Sequence, residues 1–77
     1  MTVLLFARAR DLIGADRIEV ERAPTVGDLR VSLATKYPNL AGLLMKSALA
    51  VNGEFADDAT RIPDGAEVAL LPPVSGG

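Results

Sequence analysis

The sequence predicts an α+β domain: a mixed β-sheet with one main helix across one face, in the order β-β-α-β-β. Three observations carry this. Arg17-Ile18-Glu19-Val20-Glu21-Arg22 alternates polar and apolar residues, as a half-buried strand does. Val26, Leu29, Leu33 and Tyr37 recur at spacings of three or four, which puts them on one face of a helix. Short apolar runs at Thr2–Ala7, Leu49–Val51 and Glu67–Leu71 are separated by turn residues. A chain of 77 residues has room for one domain, placed at residues 1–71, followed by a tail over 72–77.

Taken in order, Val3, Leu5 and Ala7 fall on one face of the first strand, and Leu4 and Phe6 on the other. Arg8 to Ala15 reads as a turn or short helical piece stopped by Gly14, and the alternating second strand turns Ile18 and Val20 inward. Thr25 is a good N-cap, with Asp28 in a capping-box-like position, and Pro38 ends the helix that runs from about Val26 to Lys36. Leu40, Leu43 and Leu44 suggest a further short helical turn. The third strand leads into the turn Asn52-Gly53, and the fourth follows Pro63-Asp64-Gly65. If the first and last strands are central neighbours, Val3, Leu5, Val68 and Leu70 fill the core. Leu4, Phe6, Ala69 and Leu71 are then left on a face that the single long helix cannot cover, an apolar patch suited to docking.

The ending Leu71-Pro72-Pro73-Val74-Ser75-Gly76-Gly77 is the most informative stretch. Two prolines fix φ and offer no N–H to a sheet, so the chain leaves the fold as a stiff extended arm. Glycines without a β-carbon fit a channel too narrow for side chains. The residues beyond Pro73 reach roughly 13–14 Å, enough to carry a terminal carboxylate into another protein's cleft. Ser-Gly-Gly on its own also fits a frayed end, but a double proline directly after a strand is a stiffener that a frayed end does not need.

Composition narrows the chemistry. The chain has no Cys and no His, so it brings no thiolate nucleophile, no usual general base and no zinc site of ordinary composition. Net charge is −2 with the eight basic residues scattered, which gives no nucleic-acid footprint. No apolar run approaches the ~20 residues of a membrane span, and a cytoplasmic setting without a membrane partner is expected. Asp57-Asp58 reads as a solvated loop, without metal or acid–base chemistry.

Phe6 and Arg10 after the first strand, Pro24-Thr25-Val26-Gly27-Asp28-Leu29, Ala50-Val51-Asn52-Gly53, Asp64-Gly65-Ala66-Glu67-Val68 and the Pro-Pro-Val-Ser-Gly-Gly ending together resemble the small subunits of molybdopterin synthases. These belong to the sulfur carriers of ubiquitin-like β-grasp fold, and the resemblance runs along essentially the full length. It implies that a ubiquitin-activating-like adenylyltransferase, using Mg-ATP, adenylates the carboxylate of Gly77, and that a sulfur donor protein then converts it to a thiocarboxylate. A carboxylate anion cannot itself be displaced by a sulfur nucleophile, and adenylation supplies the leaving group. The large synthase subunit would receive the tail and supply the catalytic side chains, while sulfur passes to cyclic pyranopterin monophosphate. No cofactor is implied on this chain.

By the same resemblance Gly77 is the sulfur-bearing residue and Gly76 its threaded neighbour. Ser75, Val74, Pro73, Leu71, Phe6, Leu4 and Arg10 are implied partner contacts. Many relatives carry an aromatic where this chain has Leu71, so less area is buried there, by about 1 kcal/mol. Two alternatives stay open: a carrier serving thiazole or cysteine synthesis, and a ubiquitin-like modifier joined to target lysines.

Overall fold

Val3, Leu5 and Ile18 alternate with polar or less buried residues, and the structure shows what they face. The computed structural model describes residues 1–72. Strands β1 (Thr2–Leu5), β2 (Arg17–Glu19), β3 (Ala48–Val51), β4 (Glu54–Ala56) and β5 (Val68–Leu71) form one sheet in the order β2-β1-β5-β3-β4. Helix α1 (Ala7–Ile13) follows β1, α2 (Val26–Lys36) follows β2, and a 3-10 turn at Pro38–Leu40 leads into α3 (Ala41–Leu44). β1 and β5 are parallel and every other pairing is antiparallel, so the sheet is mixed, with the first and last strands side by side.

Register divides the side chains between two faces. Ile18, Val3, Val68 and Val51 form one cross-strand row, and Leu5, Leu70 and Leu49 the next. All are buried, and they join one core cluster with Val26, Leu29 and Leu33 of α2 and with Leu40 and Leu44. Ten of these side chains are essentially inaccessible, and each contributes about 1.5–3 kcal/mol of burial. The helix begins where expected, because the Thr25 hydroxyl accepts from the Asp28 N–H at 3.2 Å and donates to the Asp28 carboxylate at 2.9 Å.

Two strand boundaries and the strand count differ from the sequence expectation: β1 and β2 are shorter, β2 ending at Glu19 rather than Arg22, and there is a fifth strand. β1 ends at Leu5, not Ala7, because Ala7 takes φ 51°, a left-handed conformation that swings the chain into α1. The segment after it takes the short-helix alternative and is stopped, as expected, by Gly14 at φ 80°, whose N–H donates to the Arg10 carbonyl at 2.7 Å. The order β-β-α-β-β lacks one strand: β4 pairs with β3 across a two-residue turn in which Asn52 and Gly53 have φ 52° and 82°. β4 is only three residues long and has one strong strand former, Phe55, so its own pattern is too short to signal a strand.

Candidate functional site

The face of the sheet away from α2 is the candidate site. Arg17, Leu4, Ala69, Ala50 and Phe55 are register partners in one row that crosses all five strands. Leu71, two residues beyond Ala69 and paired with Ala48, continues this face toward the point where the chain leaves the sheet. Leu4, Ala69 and Leu71 are half-buried, as one side of an uncovered sheet should be. The expected division of strand faces holds for Leu4, Ala69 and Leu71, whereas Phe6, expected beside Leu4, lies beyond the end of β1 at the N-cap of α1 and is not part of the strand face.

Phe6 stands at the junction of β1 and α1, with an extended backbone and 43% of its surface exposed. It lines an apolar cavity of about 250 Å³ together with Ala9, Leu43, Leu70, Leu71 and Pro72. The base of the tail thus meets a recess built by α1, α3 and β5, with Arg8 at its margin. Arg10, two residues further along α1 and so on a different side of the helix, is exposed. Pro73, Val74, Ser75, Gly76 and Gly77 lie outside the described residues.

Sequence reasoning missed Phe55. It is 66% exposed on the edge strand, in the same row as Leu4 and Ala69, and it widens the apolar face toward β4. The signal was present: an Asn-Gly pair marks a two-residue hairpin, and the second residue after it pairs with Ala50. Among the described residues no three His, Cys, Asp or Glu side chains come together to hold a metal ion, and no helix is long and apolar enough to cross a membrane. What the face offers is apolar area bordered by charges of both signs, Arg17, Arg22, Glu19 and Glu67 around Leu4, which suits recognition of a protein surface.

A five-stranded mixed sheet with one long helix packed on a single face defines a small β-grasp protein. The ThiS family matches residues 3–77, and the chain belongs to it. The molybdopterin synthase sulfur carrier subunit of Escherichia coli is 41% identical over 78 residues, covering 97% of this chain and 96% of that protein. Among solved structures, small archaeal modifier protein 1 of Haloferax volcanii superposes with a TM-score of 0.75 at 30% identity, over 95% of each chain. A chain from the complex of subunits 1 and 2 of the molybdopterin-converting factor of Helicobacter pylori superposes with a TM-score of 0.69 at 28% identity, over 99% of this chain and 96% of that one. The ubiquitin-like β-grasp fold is thereby shown for this chain, as is its kinship with molybdopterin synthase sulfur carrier subunits.

Proposed function

We propose that this protein carries sulfur on the carboxyl group of Gly77 and delivers it, as the small subunit of a molybdopterin synthase, to cyclic pyranopterin monophosphate. The observation that supports this best is full-length kinship to sulfur carrier subunits in a chain whose last strand runs straight from an uncovered apolar face into the Pro-Pro-Val-Ser-Gly-Gly ending. The Gly77 carboxylate attacks the α-phosphorus of Mg-ATP on an adenylyltransferase and releases pyrophosphate. A persulfide on a donor protein then displaces AMP to give an acyl disulfide, and a thiol cleaves its S–S bond, forming a disulfide with the donor and releasing the Gly77 thiocarboxylate. In the large subunit this sulfur displaces an oxygen substituent from a carbon of the acceptor, and water hydrolyses the resulting thioester, leaving the sulfur on the acceptor and returning Gly77 to its carboxylate. The chain's part is to seat and aim the tail. Leu4, Phe55 and Leu71 supply the docking area, Phe6 and Pro72 line the recess at the tail base with Arg8 at its margin, and Arg10 adds an exposed cation on α1. Without Cys or His the chain supplies no nucleophile or imidazole base of its own, which fits a donor whose catalytic groups sit on its partner.

The test is reconstitution. Protein carrying a Gly77 thiocarboxylate, mixed with a molybdopterin synthase large subunit, is expected to convert cyclic pyranopterin monophosphate to molybdopterin, and the carboxylate form is not. Turnover only with a thiazole-forming or cysteine-forming acceptor would keep the carrier chemistry and remove this assignment. A second reading, a lysine-linked modifier, draws on the likeness to small archaeal modifier protein 1. Gly-Gly remnants on lysines of cellular proteins, without a thiocarboxylate on Gly77, would favour it.

A further inference from the structure

Arg30 reaches from α2 to three other parts of the chain. Its Nη1 donates to the carbonyl oxygens of Leu44 and of Ser47, the latter at 3.0 Å, and its Nε donates to Asp58 Oδ1 at 3.1 Å. The side chain is only 23% exposed and its bonds to the two carbonyls are part-buried, while its bond to Asp58 stands at the surface. Leu44 is the last residue of α3 and Ser47 precedes β3, so the guanidinium satisfies carbonyls at a helix end, where intrahelical donors run out. Asp58 is held in turn: its carbonyl accepts from the Gly27 N–H at 2.9 Å, and a β-carbon at Gly27 would stand 3.1 Å from that oxygen.

What Arg30 holds borders the tail base. The Ser47 hydroxyl donates to the Leu43 carbonyl at 2.7 Å, and Leu43 and Ser47 line the same cavity as Phe6, Leu71 and Pro72. The next residue, Ala48, is the cross-strand partner of Leu71. We infer that Arg30 is a positioning residue: by pinning the turn between α3 and β3 it fixes the direction in which Leu71 and Pro72 leave the sheet. The inference rests on the sulfur-carrier reading for its functional consequence. A guanidinium suits the task because one planar fork serves two carbonyls and a carboxylate at once, whereas an ammonium is a single point donor.

The test uses the full chain with Arg30→Met, and Arg30→Lys as a milder variant should the first not fold. Ile18→Val, at the opposite edge of the sheet, serves as a control for general loss of stability. Amide hydrogen exchange at Ala48 and Leu71 is expected to quicken about tenfold more than at Val3 and Ile18 in the Arg30 variants. Affinity for a molybdopterin synthase large subunit is expected to fall about tenfold, while the Ile18→Val control keeps its affinity. Uniform quickening across the sheet, or unchanged affinity, would overturn the positioning role. If the unmodified chain binds no large subunit, the sulfur-carrier reading fails, and the exchange pattern alone then decides whether Arg30 sets the tail base.

Discussion

Phe6→Ala and Phe55→Ala are expected to leave the free protein nearly as stable as before, because Phe55 is 66% exposed and Phe6, at 43%, borders an open recess and lies outside the core cluster. Each should cost under about 1 kcal/mol in a urea titration, whereas Leu33→Ala, at a fully buried position, should cost about 2–5 kcal/mol. Both phenylalanine variants should bind the large subunit more weakly, and a core-sized stability loss at either would show that its ring packs inward. At this scale the sequence was readable wherever periodicity reports burial: Val3, Leu5, Ile18, Val20, Leu29 and Leu33 are buried as their spacing implied. It was silent about Arg30, since no pattern announces a side chain that caps carbonyls 14 and 17 residues away.

Among the elements, the β3–β4 hairpin depends on its turn. Gly53 has φ 82° and open space around its α-carbon, so Gly53→Ala tests backbone conformation without a clash. It is expected to lower stability by about 1–2 kcal/mol, read from the denaturant midpoint, and an unchanged midpoint would mean that the turn can relax. Thr25→Ala should cost about 1 kcal/mol by removing the hydroxyl that caps α2. The helix was legible because cap, periodicity and stop agree over eleven residues. The hairpin was only half legible: its turn is marked by residue type, while β4 owes its existence to backbone pairing with β3.

For the molecule as a whole, deleting Gly77 is expected to abolish sulfur transfer while the melting temperature moves by less than about 2 °C. The reason is that, among the described residues, the core cluster runs from Val3 to Leu70. A larger shift would show that the end of the chain is structural and would count against the donor role. The fold and its uncovered face were legible because only one long helix was available to cover two sheet faces. The recess at the tail base was not, because it is formed by α1, α3 and β5, which are brought together only by the completed sheet.

The parallel pairing of β1 with β5 also sets an order of events in time. β1 is made first, and its central neighbour is the last strand of the described chain, so the sheet cannot close until Val68–Leu71 has left the ribosome. A fragment ending at Glu67 is accordingly expected to show no dispersed amide spectrum, and a folded spectrum would refute this. Closure of the sheet and presentation of the tail base are then one step in synthesis. An enzyme that recognises the folded face is offered only chains translated through the strand that carries the tail.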